Sequence, residues 1–314
     1  MPIKKLFILL GGFVILFFIG LFILFPYGDV DYGTAEIRVF GIGRADAILI
    51  TTTNHALLID TGENQHGDYL VAHLQALDID FLDYLIITHF DSDHVGGAHA
   101  IIDAIPIGEV IIPNYSRETR HVERFEAALE RADLVPYVLI QARWVALDGV
   151  DFVFDASALP YIHFPRVADD DYYYDEFHDD DMDVFVPTGD DFSIVVGMTH
   201  GRNHFLFTGD AMNRRLAEVL QNETLMNENN TLLKIPRHGR HTRNAVELIH
   251  RLRPEYAVIT GFPPNDLQVY APERPTDWRI VHALEEVGAR VFYTMTTRVR
   301  FISDGVNLTV VNIL

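Results

Sequence analysis

At residues 89–97 the chain reads His89-Phe90-Asp91-Ser92-Asp93-His94-Val95-Gly96-Gly97, directly after the apolar run 84–88. Two imidazoles and two carboxylates fall within six residues. Grouped carboxylates repel one another unless a cation or solvent takes up their charge. A polar surface loop is the alternative, but four potential ligands immediately after a buried strand favour a metal. The stretch therefore predicts a metal centre at the end of a strand.

This spacing resembles the H-x-[HD]-x-D-H signature of the metallo-β-lactamase superfamily, in the variant that is similar to the hydrolase-like domain of the competence protein ComEC. Four further stretches are similar to that family in its order: 42–50 to V-G-Q-G-D-A-I-L-I, 58–62 to L-I-D-T-G, 205–211 to L-L-T-G-D and 233–239 to L-K-V-P-H-H-G. The resemblance covers residues 36–314. It implies a four-layer αββα sandwich of the α/β class, with the metal site at one edge.

The composition limits the number of domains, the possible metal ligands and the possible partners of the chain. A chain of 314 residues with 49% apolar content can bury one large core, so residues 31–314 are expected to form one domain, which the resemblance implies is a metallo-β-lactamase-like hydrolase domain. The chain has no cysteine, and any metal must be held by His, Asp and Glu. A net charge of −21 argues against a broad nucleic-acid-binding surface.

Residues 6–25 form an uncharged, strongly apolar run, preceded by Lys4 and Lys5. As a helix this run spans about 30 Å, the thickness of a bilayer core. A cleaved signal peptide is the alternative, but the run is long for one and no small-residue cleavage site follows. Residues 1–30 are therefore predicted to be an uncleaved single-pass membrane anchor with its tether. The lysines place the N-terminus in the cytoplasm and the domain outside it.

Alternating apolar patterns predict two successive strand-rich halves, each interleaved with helices. A helix at 95–105 is expected directly after the His/Asp stretch. Between residues 169 and 191 the composition changes to acidic residues and tyrosines without any basic residue. This segment is predicted to be an insertion that loops off the domain as a solvated charge run, with a cation site or an active-site lid as alternatives.

Two further ligand candidates follow apolar strands. Asp210 comes after a strand and a glycine turn, where capping of the next helix would explain it equally well. His238 follows another strand, and a loop histidine is its alternative. The resemblance favours ligands in both cases. It implies two divalent cations, Zn²⁺ or Mn²⁺, with these ligands: Asp93, His94 and His238 for one, His89 and Asp91 for the other, and Asp210 between them.

The resemblance also implies a chemistry, in which a metal-bound hydroxide attacks an ester, amide or phosphodiester while the metals hold the developing oxyanion. Asp93 and Asp210 are the expected catalytic carboxylates, and a phosphodiester is the leading substrate. A hydrolase of a small ester, lactone or amide, or a non-catalytic metal-binding module that keeps the fold, are the alternatives.

Two departures from the family pattern bear on the site. Arg237 replaces the first His of H-H-G and is a candidate to contact a substrate phosphate. The family's additional His on the first metal has no clear counterpart. Asp46 and Asp60 lie in matched stretches and are expected to orient ligands or to form turns, and for Asp60 the turn is preferred.

Overall fold

The computed structural model describes residues 32–165, 187–227, 230–264, 275–295 and 297–313. The predicted membrane span at 6–25 and most of the predicted acidic insertion lie outside these residues. Among the described helices, none has the length and apolar character needed to cross a membrane. Residues 33–314 group into one compact unit.

The strands are, in chain order, β1 Ala35–Val39, β2 Ile48–Thr51, β3 Ala56–Ile59, β4 Leu82–Ile86, β5 Ile107–Pro113, β6 Tyr115–Arg117, β7 Tyr137–Leu139, β8 Arg143–Leu147, β9 Val150–Asp155, β10 Ile162–Phe164, β11 Val195–His200, β12 Asn203–Phe207, β13 Leu232–Lys234, β14 Tyr256–Ile259, β15 Arg290–Tyr293, β16 Arg298–Ser303 and β17 Leu308–Ile313. The α-helices are α1 Gly67–Ala76, α2 Ser92–Val95, α3 Ala98–Ala104, α4 Arg120–Arg131, α5 Asn213–Gln221, α6 Arg243–Leu252 and α7 Trp278–Val287. Short 3₁₀ turns lie at Asn64–His66, Gly189–Phe192 and Pro236–Gly239.

Two large mixed sheets form the centre of the domain. The first has the order β17-β16-β1-β2-β3-β4-β5-β7, and the second has the order β15-β14-β13-β12-β11-β9-β8. In the first sheet β3, β4, β5 and β7 run parallel, and in the second β12 to β15 do. The remaining pairs in both sheets are antiparallel. Strands β6 and β10 pair separately.

Three apolar cores hold these layers together. One core lies between the sheets and includes Phe154, Phe205 and Phe301. A second joins the first sheet to α1, α3 and α4, and a third joins the second sheet to α5, α6 and α7. A sheet with both faces buried requires continuous apolar strands, as the fully buried β3 and β14 illustrate. The four-layer αββα sandwich expected from the sequence is confirmed.

Parallel strands place their carboxyl ends at one edge of a sheet. Strands β3 and β4 of the first sheet end there, and so do β12 and β13 of the second. The residues that follow these strands include every predicted ligand, so the topology alone brings them to one edge of the sandwich.

The predicted helix at 95–105 is interrupted, because Gly96 and Gly97 separate α2 from α3. A Cβ on Gly96 would lie 2.3 Å from the Ser92 carbonyl oxygen, and a Cβ on Gly97 would lie 2.4 Å from that of Thr61. The backbone of the His/Asp stretch packs so closely on the loop after β3 that only glycine fits. Thr61 N donates to the His94 carbonyl at 2.7 Å across this contact.

The C-terminal end of the acidic segment differs from the predicted solvated insertion at 169–191. Residues 166–186 lie outside the described residues, but Gly189–Phe192 is a buried 3₁₀ turn. Asp190 and Asp191 are 6% and 3% exposed, so they belong to the domain and not to a solvated loop. The predicted insertion therefore ends before residue 189.

Candidate metal centre

All six predicted ligands lie together at the edge of the sandwich. The loop after β4 and helix α2 carry four of them, the turn after β12 carries one, and the 3₁₀ turn after β13 carries the last: His89, Asp91, Asp93, His94, Asp210 and His238. Five of them form two groups, which we call the first site (His89 and Asp91) and the second site (Asp93, His94 and His238), and Asp210 is the sixth.

The second site is compact. His238 Nε2 lies 3.1 Å from Asp93 Oδ2 and 3.2 Å from Asp210 Oδ2. His94 Nε2 lies 3.5 Å from Asp210 Oδ1. Two nitrogen and two oxygen donors therefore face one point, a set that suits a divalent metal such as Zn²⁺.

The first site lies next to the second, and the rings of His89 and His94 are 4.0 Å apart at their centroids. His89 Nε2 lies 3.6 Å from Asp190 Oδ1 and 4.0 Å from Asp91 Oδ2. Asp210 lies within the same reach of His89 and His94, so it is placed between the two sites. It does not cap α5, whose first turn has Met212 at its N-cap without a side-chain bond.

The three imidazoles carry the clearest sign of a cation site. The Nε2 atoms of His89, His94 and His238 are all buried, and none has an aligned hydrogen-bond partner among the described residues. Buried polar atoms are nearly always hydrogen-bonded, because leaving one unpaired costs about 1–3 kcal/mol. Three such nitrogens facing carboxylates fit a divalent cation at each site.

Asp60 fixes the tautomers of two of these histidines. Its Oδ2 lies 2.8 Å from His94 Nδ1 and accepts from Thr88 Oγ1 at 2.7 Å. An ionised carboxylate only accepts, so His94 Nδ1 carries the proton. The Thr88 hydroxyl donates its hydrogen to Asp60. Its oxygen lies 3.1 Å from His89 Nδ1 and therefore accepts a hydrogen bond from that ring. Both Nε2 lone pairs then face the metal centre.

For Asp60 the sequence favoured a turn, and the structure shows a turn and a ligand-orienting carboxylate together. The residue has a left-handed φ of 57°, as turn aspartates often do. Its side chain is fully buried.

His238 is held by its backbone as well as by its ring. Arg237 and His238 both have a left-handed φ of 52°, which costs side-chain-bearing residues about 1–2 kcal/mol each. His238 Nδ1 lies 3.0 Å from the Thr260 carbonyl oxygen, which can only accept, so Nε2 again keeps its lone pair for the site.

A buried ammonium links the two sheets behind the site. Lys234, at the end of β13, is 1% exposed. Its Nζ pairs with Asp46 Oδ2, donates to the Gly209 carbonyl at 2.8 Å and lies 3.4 Å from Asp210 Oδ1. Asp46 Oδ1 in turn lies 3.5 Å from His238 Nδ1. The expected orienting role of Asp46 thus extends to Lys234, Asp210 and His238.

Two guanidinium groups contact the carboxylates of the first site. Arg117 NH1 pairs with Asp91 Oδ1. Arg237, the candidate to contact a substrate phosphate, is 8% exposed, and its Nε donates to Asp190 Oδ2 at 3.1 Å.

Neighbouring carboxylates determine the pKa shifts of His94 and His238, whereas burial determines that of His89. Burial lowers the pKa of His94, but Asp210, Asp60, Asp93 and Asp46 together raise that pKa well above its ordinary value. His238 behaves alike: burial lowers its pKa, and Asp210 leads the contacts that raise it. Burial and the neighbouring His94 lower the pKa of His89, so this ring stays neutral.

The sequence missed four contributors, which are Asp190, Arg117, Thr88 and Lys234. Lys234 lay inside a matched stretch, and as the one lysine of the chain beyond residue 5 it could have been singled out. His200 and His204, which flank the hairpin before Asp210, do not reach the site. His200 is fully buried, with Nδ1 2.8 Å from Ser303 Oγ.

A four-layer αββα sandwich with His and Asp side chains grouped at one edge is a hydrolase-like fold. The chain belongs to the metallo-beta-lactamase superfamily, whose sequence profile matches residues 41–261.

Two curated relatives are competence proteins, which confirms the predicted similarity. The chain is 25% identical to ComE operon protein 3 of Bacillus subtilis (strain 168), over 77% of this chain and 30% of that protein. It is 28% identical to competence protein ComA of Neisseria gonorrhoeae, over 74% of this chain and 28% of that protein. It therefore spans less than a third of the length of these relatives. Among solved structures, the metallo-beta-lactamase fold protein YhfI of Bacillus subtilis matches with a TM-score of 0.49 and 12% identity, over 83% of this chain and 96% of that chain.

We expect Asp93→Ala and His238→Ala each to abolish cation binding at the second site, because either change leaves too few donors. Metal-dependent stabilisation should be lost with it, since a ligand that binds only the folded state stabilises it. Metal content per chain and the Tm with and without Zn²⁺ measure both effects. His250→Ala, on the exposed face of α6, is the matched control and should bind as the wild type does. Unchanged stoichiometry in both site variants would refute the ligand assignment.

Cation binding at the second site should release protons. Neighbouring carboxylates raise the pKa values of His94 and His238, so without a cation a proton competes for Nε2 of each ring, and a bound cation must displace it. Apparent affinity for Zn²⁺ should therefore rise with pH. Calorimetric titration in two buffers with different ionisation enthalpies measures the protons released. A binding enthalpy that is the same in both buffers would contradict this expectation.

Proposed function

We propose that the protein is a metal-dependent hydrolase, anchored in the membrane by residues 6–25, and that phosphodiesters are its substrate class. The observation that carries the proposal is a set of three buried imidazole Nε2 atoms that lack an aligned hydrogen-bond partner and face the carboxylates Asp93, Asp190 and Asp210. Such a set fits two cations, and bound divalent cations supply Lewis-acid polarisation of the scissile group and activation of a water nucleophile.

Asp93 is suited to handle the attacking water. Its side chain is 24% exposed, against 10% or less for Asp210 and the site histidines, so it faces the solvent side of the centre. Burial raises the pKa of Asp93, but His94 and His238 outweigh this and hold the pKa well below its usual value. Asp93 therefore stays ionised, and its oxygens can orient the water and accept its proton.

Asp210 has a different part. Burial raises its pKa, while His238, His94 and Lys234 lower it well below the ordinary value. It remains a charged acceptor between the two sites, where it would hold a cation on either side and offset the repulsion between them.

The preference for phosphodiesters rests on two supports. The curated relatives are named as competence proteins and, in Haemophilus influenzae, as a recombination protein. Guanidinium groups match phosphate oxygens, and Arg117 and Arg237 lie at the first site. We retain Arg237 as the candidate phosphate contact. The net charge of −21 favours a substrate held locally at the centre over a long duplex held along the surface.

We expect Asp210→Asn to fold, to bind about one cation and to lose hydrolysis of bis(p-nitrophenyl) phosphate by roughly 10²-fold or more. The change keeps the size of the side chain and removes the charge that the two cations share. Metal content, initial rate and Tm of the full-length chain in mild detergent are the measurements.

Asp103→Asn is the matched control, because Asp103 pairs with Arg131 on the surface away from the site. It should hydrolyse the substrate as the wild type does. If Asp210→Asn binds two cations and turns over normally, Asp210 is not a bridging ligand. If the wild type binds two cations but cleaves small esters, lactones or amides and no phosphodiester, the substrate class is wrong. Binding without any hydrolysis would favour a non-catalytic metal-binding module.

The proposed topology places the N-terminus in the cytoplasm and the domain outside the cytoplasmic membrane. With a C-terminal epitope tag, protease added to cells whose outer layer is permeable should remove the tag. A cytoplasmic protein in the same cells should stay intact. Protection of the tag until the cytoplasmic membrane is lysed would show that the orientation is reversed.

A further inference from the structure

The first site contains a carboxylate that the sequence pattern did not supply. Asp190 belongs to the 3₁₀ turn Gly189–Phe192, just before β11, and its side chain is 9% exposed. With His89 and Asp91 it forms a group whose donor atoms all lie within 4.8 Å of one another. His89 Nε2 is fully buried and has no aligned hydrogen-bond partner among the described residues, so this nitrogen marks a ligand position independently of the acidic residues.

The backbone around Asp190 is built to hold it there. The preceding Thr188 and the following Asp191 form a reciprocal capping box, in which Thr188 N donates to Asp191 Oδ2 at 2.9 Å. A Cβ on Gly189 would lie 2.8 Å from the Tyr115 hydroxyl oxygen and 3.4 Å from Asp91 Oδ1, so the turn packs directly against the first site. Asp190 is thus a fixed part of the centre.

The donors of the two sites differ in kind. The second site offers the imidazoles of His94 and His238, whereas the first offers the single imidazole of His89 together with carboxylates. Imidazole suits Zn²⁺ and similar metals, and carboxylate oxygens suit Mn²⁺ and Mg²⁺. The donor sets therefore favour different cations.

The two sites also differ in charge compensation. Both carboxylates of the first site are paired with guanidinium groups, Asp91 with Arg117 and Asp190 with Arg237. A cation that enters the first site meets two fixed positive charges on its own ligands. At an effective dielectric constant of about 20, a unit charge a few ångströms from a dication weakens its binding strongly.

We propose that Asp190 is the third protein ligand of the first site, and that Arg117 and Arg237 are built-in counter-ions that compete with the cation there. The first site consequently binds divalent cations more weakly than the second, discriminates less between Zn²⁺ and Mn²⁺, and fills only after the second. The inference rests on the proposed function only in taking the two groups to be cation sites.

The test uses the full-length chain in mild detergent, first loaded with one equivalent of Zn²⁺. Mn²⁺ is then titrated, and the free ion is followed by its electron paramagnetic resonance signal. We expect the wild type to bind one Mn²⁺. We expect Arg117→Gln to bind it roughly tenfold or more tightly, because one competing charge is gone, and Arg237→Gln to show the same direction. Asp190→Asn should weaken the first site at least about tenfold through the loss of a charged ligand and should keep the Zn²⁺ of the second.

Arg117→Lys keeps the charge and should bind Mn²⁺ as the wild type does, and so should Arg131→Gln, which removes a guanidinium from an exposed pair with Asp103. The retained Zn²⁺ equivalent reports that each variant is folded. Unchanged or weaker Mn²⁺ binding in both Arg117→Gln and Arg237→Gln would overturn the counter-ion role. Wild-type Mn²⁺ binding by Asp190→Asn would overturn the ligand role, and equal Zn²⁺ affinity at both sites would overturn the order of filling. A chain that binds metals as expected but hydrolyses nothing would refute only the proposed function.

Discussion

Neutralising buried negative charge is the constraint on which the edge of this sandwich depends. Among the residues that the structure describes, six carboxylates converge there: Asp46, Asp60, Asp91, Asp93, Asp190 and Asp210. Three basic side chains lie among them, namely Lys234, Arg117 and Arg237. An uncompensated buried charge is costly, and with neutral imidazoles three negative charges are left over. Without cations, protons on His94 and His238 would offset part of this negative charge, and for this reason the carboxylates raise the pKa values of both rings. Divalent cations would offset the charge more completely.

Lys234 shows how this constraint shapes the fold as well as the site. Its strand, β13, belongs to the second sheet, and Asp46 belongs to the turn before β2 of the first sheet. Its ammonium contacts three oxygens, those of Asp46, Gly209 and Asp210, so every N–H of the group has an acceptor in reach. The pair thus fixes the position of one sheet edge relative to the other at the point where ligands from both must meet. A hydrophobic replacement could fill the volume, but it would leave Asp46 buried without a partner.

The sequence predicts features that depend on neighbouring residues better than features that depend on contacts between residues far apart in the chain. Apolar strands and the His/Asp stretch are local patterns, and they led to the sandwich and to all six predicted ligands. The tautomers of His89 and His94 depend on Asp60 and Thr88, which meet only when β3 and β4 pair. Asp190 was missed because its acidic neighbours have the composition of a solvated segment, whereas its own turn is tied to the domain by a capping box. The helix after the ligands was predicted too long, since the need for glycine arises from contacts between distant backbones, Gly96 with Asn64 and Gly97 with Thr61.

The same reasoning explains why the two sites are not equivalent. At the second site the chain accepts two consecutive left-handed residues, Arg237 and His238, and a strain of this kind persists only where the surroundings enforce it. Two contacts hold His238 in this conformation. The backbone of Gly261 approaches so closely that a Cβ there would lie 2.7 Å from the His238 carbonyl oxygen, and the His238 ring bonds to Thr260. The imidazole is therefore oriented before any cation arrives. At the first site, by contrast, ion pairs orient the carboxylates, and a cation has to compete with these same contacts. The strained backbone thus orients a ligand of the second site before metal binds, whereas counter-ions occupy the carboxylates of the first site until a cation displaces them.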